Sequence, residues 1–497
     1  MAHGDATIVW FRLDLRLEDN PALRWAAERG RPVVPIFVWA PDEEGDWPPG
    51  AASRWWLHRS LASLAAALEK CGSRLILRRG PSGAALADVA RATGARAVAW
   101  NRRTEPALAA RDARVARDLA AAGLEIAAFN AHLLFEPGVV RTRAGQPFQV
   151  FTPFWKACLA LDDPPGTAAA PRRLAPPGAW PASEPLVSFG LEPSIDWAGG
   201  LRAAWEPGEV GARRRLAAFV DSAIDDYPSG RDRPGSPGTS RLSPHLHFGE
   251  IGPRQVWRAV RERTEPPRAG DKCAAAWLRE IGWREFAHHL MIHFPHTAER
   301  PLRPAFERFP WRRDDRARRA WERGRTGYPI VDAGMRELWT TGWMHNRVRM
   351  IAASFLVKDL LLSWRDGAGW FWDTLVDADL ANNTLGWQWS AGCGADAAPY
   401  FRIFNPTLQG RRFDPEGRYV GRFVPELADV PQKHLHAPWE APAPPPGYPA
   451  PLVDHRAARD RALAAFATVS GGGGAGTGAS TGAGGPARGP GPRSVRP

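Results

Sequence analysis

Along residues 7–130, short β-branched and apolar runs alternate with segments whose apolar positions recur at three and four. Thr7–Phe11, Val33–Trp39, Arg74–Leu77, Ala97–Trp100 and Glu125–Phe129 read as strands. Asn20–Arg29, Ser53–Lys70, Ala85–Thr93 and Pro106–Ala122 read as the helices between them. Strands alternating with helices predict a five-stranded parallel sheet covered on both faces, an α/β N-terminal domain over residues 1–130. No G-x-G-x-x-G follows the first strand, which counts against an NAD-type dinucleotide site.

The pattern then changes. Residues 131–204, with PPGTAAAPRRLAPPGAW, are dense in Pro, Gly and Ala and read as an extended connector. From residue 205 to 468 the spacing is helical throughout, and an all-helical second domain is expected. The Gly- and Ala-rich stretch 469–497 holds too little apolar surface to fold and is expected to be disordered.

A chain of 497 residues with 44% hydrophobic content can bury more than one core. Its formal charge is +12 and nearly all its cations are arginines, a balance that suits a polyanionic partner. The plainer reading is a solvated basic surface. Cys71, Cys158, Cys273 and Cys393 show no C-x-x-C spacing, which fits a reducing cytoplasm and argues against a cysteine zinc site. No secretory signal is expected at the N-terminus. Lys358 and Asp359 interrupt the most apolar late run, so no membrane span is expected.

Four stretches carry candidate chemistry. Phe371–Pro406 sets Asp377, Asp379, Asn382, Asn383, Trp387 and Trp389 in apolar surroundings, where unsatisfied polar groups cost about 2–7 kcal/mol each, so a flat polar ligand is expected among them. In Tyr227–Phe248, hydroxyls of Thr239, Ser240 and Ser243 precede a helix start, which reads as a phosphate site or an ordinary capping loop. Trp277, Glu280, Ile281 and Arg284 share one helical face, and Glu280–Arg284 alone could be a simple intrahelical pair. Asn346, Arg347 and Met350 share another. His289 and His293, at i and i+4 in HHLMIHFPH, lack a companion ligand, so packing is expected there and no metal. Most of the 24 tryptophans are expected to be core.

D-x-D-L-x-x-N-x-x-x-W-x-W (Asp377 to Trp389), the opening WFRLDLRLEDNPAL, FTPFWKA and the TSRLS and HNRVRM segments closely resemble the DNA photolyase/cryptochrome family over nearly the whole chain. That resemblance implies light-driven repair of cyclobutane pyrimidine dimers, in which reduced FAD passes an electron to a lesion flipped out of DNA. It assigns the cofactor to Tyr227, Thr239, Ser240, Arg241, Leu242, Ser243, Trp277, Arg284, Arg349, Asp377, Ala378, Asp379 and Asn383. DNA and the lesion fall to Arg231, Glu280, Trp283, Asn346, Arg347, Met350, Trp389 and Gln409. Trp387, Trp364 and Trp311 match the family's electron relay.

Asn383 stands where plant-type cryptochromes carry Asp, and 6-4 photolyases carry His where this chain has Asn346 and Met350. Both differences favour dimer repair over the alternatives, a cryptochrome-type receptor or a 6-4 enzyme. Gly282 replaces a larger family residue and is expected to loosen its helix turn. An antenna chromophore is expected in the N-terminal domain, a methenyltetrahydrofolate or else a deazaflavin. One folate-binding version uses an Asn–Glu pair whose places here, by register with Asn101 and Glu105, are Ala107 and Leu108. The expected partner is damaged DNA and the expected state a monomer.

Overall fold

The computed structural model describes residues 5–263, 272–397, 399–400 and 402–470. The tail expected from 469 onward lies outside them from residue 471. Strands β1 (Thr7–Phe11), β2 (Val33–Trp39), β3 (Ile76–Arg79), β4 (Ala97–Asn101) and β5 (Glu125–Phe129) form one parallel sheet ordered β3-β2-β1-β4-β5. Helices α1 (Pro21–Glu28), α2 (Ala51–Lys70), α3 (Ser82–Thr93) and α4 (Pro106–Ala121) alternate with them. β1, β2 and β4 are buried along their whole length, and β5 is a half-exposed edge. β3 lies two residues later than its hydrophobic run suggested, because pairing with β2 sets Ile76 opposite Ile36. Asn20 caps α1 through the Leu23 amide, and Pro21 at its first position needs no amide partner.

The connector contains α5 (Phe151–Leu159) and ends in α6 (Gly199–Ala204). After it come α7 (Glu209–Asp221), α8 (Tyr227–Gly230), α9 (Ser243–His247), α10 (Pro253–Arg263) and α11 (Lys272–His293). Helices α12 (Asp315–Glu322), α13 (Pro329–Thr341), α14 (Asn346–Ser354), α15 (Trp364–Thr374) and α16 (Leu380–Ala391) carry the middle of this domain. It closes with α17 (Pro406–Phe413), α18 (Arg418–Phe423) and α19 (His455–Ser470). No described helix is long and apolar enough to cross a membrane.

The two domains share a core. Phe248, Trp343 and Val376 of the helical domain pack with Trp55, Trp56 and Leu61 of α2. The Trp56 indole donates to Glu250 at 2.9 Å, and the buried Arg16 guanidinium donates to the carbonyls of Gly249, Asp19 and Ala131. Gly249 has φ +64°, and a Cβ there would lie 2.2 Å from the Leu13 carbonyl, so only glycine lets the domains approach this closely.

Candidate functional site

Gly230 and Gly238 bring two backbones together, with a Cβ on Gly238 falling 2.5 Å from the Gly230 carbonyl oxygen. That contact shapes the loop carrying Thr239, Ser240 and Arg241, while Leu242 is buried beneath it. The Arg241 backbone turns left-handed (φ 51°), and its guanidinium lies over the rings of Trp205 and Trp343 at 4.4 and 4.7 Å. Burial and the neighbouring Arg215 pull its pKa down to about 10, and its Nε has no partner. A buried cation with an idle donor is a place for an anion. The phosphate reading had rested on a helix start, but α9 spans only five residues, and the structure offers the Arg241 side chain instead. Ser243 accepts from the Trp343 indole at 3.2 Å. Tyr227 and Trp277 both pack on Phe219.

At the other end, Arg349 donates to both oxygens of Asp377 at 3.0 and 2.8 Å, with its Nε on the Met344 carbonyl. Ala378 is buried between the two aspartates. Asp379 caps α16, accepting from the amide and side chain of Asn382 at 2.8 Å each. Burial would raise its pKa, yet His288 and His247 hold it well below the carboxylate range. Asn383, one turn on, donates to the Ala368 carbonyl at 3.1 Å.

A rim of ion pairs adjoins these groups. Arg231 bonds Glu280 at 2.5 Å and Asp232 bonds Arg347 at 2.8 Å, so two consecutive loop residues hold one side chain from α11 and one from α14. Asn346 is exposed beside Arg347, and the Met350 sulfur lies 3.8 Å from that guanidinium. Arg347 also covers the Phe413 ring of α17 at 4.5 Å. Trp389 and Gln409 are half-buried on α16 and α17, and among the described residues neither side chain joins these pairs by a hydrogen bond or ring contact.

On α11 one open alternative is decided against, and one expectation is overturned. Glu280 pairs with Arg231 rather than with Arg284, whose guanidinium turns inward to the carbonyl and ring of His132. Gly282 loosens nothing: the Trp155 indole fills the space, and a Cβ there would meet it at 2.5 Å. Trp283 stacks on Phe151 at 3.7 Å and 8°.

Trp387 is buried, its ring pressed on Gly367 one turn beyond Trp364. The Arg312 amide bonds the Leu361 carbonyl, which brings the half-buried Trp311 alongside the segment leading to Trp364.

Sequence reasoning missed Asp232 and the histidines around Asp379. Of the run HHLMIHFPH, His288 is the one facing Asp379, at 3.4 Å, while His289 accepts from the Phe148 amide. His132, His288 and Asp379 offer ligand atoms within 4.8 Å of one another, but Arg284 donates to the His132 ring at 2.7 Å and would oppose a cation there. A cavity of about 260 Å³ opens at the carboxyl ends of the strands, between Trp39, Arg103, Ala107 and Leu108 on one side and His247 and Trp372 on the other. Ala107 and Leu108 were marked in the sequence as antenna positions, while the residues opposite them are brought there only by the fold.

Residues 7–173 match the family described as DNA photolyase, and residues 277–468 match the FAD binding domain of DNA photolyase. A deoxyribodipyrimidine photo-lyase of Agrobacterium fabrum is 49% identical over 472 residues, covering 93% of this chain and 98% of that protein. The chain belongs to the DNA photolyase family. A class III photolyase structure from Agrobacterium tumefaciens superposes with a TM-score of 0.91 at 48% identity, over 95% of this chain and 99% of that one. Cryptochrome-1 of Arabidopsis thaliana is 43% identical over 88% of this chain and 65% of its own length. The family's cofactor fits the residues present. The idle Arg241 donor and the hydroxyls of Thr239, Ser240 and Ser243 suit a diphosphate, and the Arg349–Asp377 pair with Asn383 offers a polar edge for a flat ring.

Proposed function

We propose that this photolyase repairs cyclobutane pyrimidine dimers in DNA, driven by light, as a monomer. The observation that carries the reading is the rim: Glu280 and Arg347 are held on either side of one loop by Arg231 and Asp232. Both are half-buried and can exchange these partners for a flipped pyrimidine pair, the carboxylate accepting from ring N–H groups and the guanidinium donating to carbonyls. Bound FAD in its reduced state supplies the photoexcited electron that splits the cyclobutane ring. The chain's own groups bind, orient and exclude water. Thr239, Ser240, Arg241 and Ser243 would hold the diphosphate, and Asp377, paired with Arg349, would offer its carboxylate to the ring. Asn383 is an amide rather than a titratable acid, so it adds no proton exchange there. Trp283, backed by Phe151, walls the lesion. Surplus positive charge tracks the phosphates. Purified protein should remove dimers from ultraviolet-treated DNA under blue light and not in darkness; equal loss or none in both would overturn the reading.

The interdomain cavity supports an antenna reading. It holds Trp39 for stacking, and Ala107 and Leu108 on its wall. We assign it to a light-harvesting chromophore, a methenyltetrahydrofolate before a deazaflavin. Absorption of the purified protein beyond that of its flavin distinguishes the two.

A further inference from the structure

We propose that His288, oriented from the N-terminal domain by Thr104, holds Asp379 as a fixed anion against the flavin, so that a hydroxyl in one domain tunes the cofactor bound in the other. This rests on the flavin reading above.

His288 is fully buried in α11. Its Nδ1 lies 2.8 Å from the Thr104 hydroxyl, and its Nε2 faces Asp379 Oδ2 at 3.4 Å, an ion-pair distance outside hydrogen-bond geometry. An ionised carboxylate only accepts, so the ring proton must sit on Nε2. Nδ1 is then a bare acceptor, and Thr104 must donate to it. The carboxylate thus fixes the tautomer, and the hydroxyl, which can donate or accept, holds the ring in the orientation that aims Nε2 at it. Asp379 has little other support on that side. Its Oδ1 is taken up by Asn382, and His247 Nδ1 stands off at 3.8 Å. The remaining charged neighbours are engaged elsewhere. Arg284 is bonded to His132, and Arg103 closes on Glu105 at 2.5 Å. Burial and Arg284 drive the His132 pKa far down, so that ring, edge-on to His288 at 4.8 Å, brings no charge.

Thr104 is half-buried in the loop after β4, between Arg103 and Glu105, which line the interdomain cavity, and it belongs to none of the candidate flavin contacts. Without that hydroxyl the ring loses the bond that holds its orientation, and Nε2 is free to turn from the carboxylate. Asp379 then loses that contact, and the anion beside the flavin is weakened.

Thr104→Val removes the hydroxyl at nearly constant shape, Thr104→Ser keeps it, and His288→Gln keeps a donor near Nε2. The measurements are the midpoint potential of the bound flavin, its dissociation constant, and the melting temperature of the flavin-depleted protein. Thr104→Val is expected to raise the potential and weaken flavin binding about tenfold. Thr104→Ser and His288→Gln should stay near the parent in both. A Thr104→Val protein with parental potential and affinity overturns the inference, as does a Thr104→Ser protein behaving like Thr104→Val. A lowered melting temperature with an unchanged potential reduces the contact to domain docking and also overturns it. A parent protein that binds no flavin would instead overturn the functional reading itself.

Discussion

Arg231 and Glu280 meet at 2.5 Å across the mouth of the candidate lesion pocket, joining the loop after α8 to the middle of α11. Both side chains keep more than a quarter of their surface in solvent, so the pair adds little to stability, about 0–1 kcal/mol. Its value is to keep a carboxylate poised.

Glu280→Ala is therefore expected to retain flavin and to melt within a few degrees of the parent, while repair per absorbed photon falls several-fold. Actinometry on dimer-containing oligonucleotides checks this. Loss of flavin or of fold would make Glu280 a structural residue.

Gly282 tests the packing argument. A Cβ there would lie 2.5 Å from the Trp155 ring, and overpacking of this kind costs about 1–3 kcal/mol. Denaturant unfolding of Gly282→Ala should show that loss, and adding Trp155→Phe should recover part of it. A neutral Gly282→Ala would mean that α5 can slide off α11.

The tryptophan relay is checked at Trp364. Trp364→Phe keeps most of the buried ring but makes the middle station harder to oxidise. The variant should bind flavin normally, fail to photoreduce it with an external donor, and repair dimers near the parental rate once dithionite has reduced it. Photoreduction at the parental rate would show a bypass or mere packing.

His345 offers a pH test. Burial lowers its pKa from 6.5 to about 4, so between these values the unfolded chain binds a proton that the folded chain refuses. Its contribution is intact above pH 6.5 and is lost as the pH falls, reaching about 2 kcal/mol at pH 5. His345→Asn keeps an acceptor for the Arg347 amide at the start of α14 and removes the titration. Chemical unfolding at pH 7 and pH 5 should show the parent losing about 2 kcal/mol more than the variant. Equal losses would place the His345 proton affinity near its ordinary value.

What the sequence determined by itself was periodic or local. The strands at 7–11, 33–39 and 125–129 and the helices between them were legible because a buried parallel strand and an amphipathic helix each write their period into neighbouring residues. The Asp377–Trp389 motif was legible because its residues lie within one loop and one helix. Only tertiary structure decided which charges pair. Glu280 had Arg284 one turn away on the same helix, yet it took Arg231, 49 positions off, because Arg284 was drawn inward to His132. Arg347 found Asp232 across 115 positions, and Thr104 found His288 across 184. The first two follow from how helices pack within the second domain, and the last from how the two domains close on each other. Hydrophobic periodicity carries no record of that closure, because the pairing energy of a polar side chain depends on what arrives opposite it and not on its neighbours in the chain.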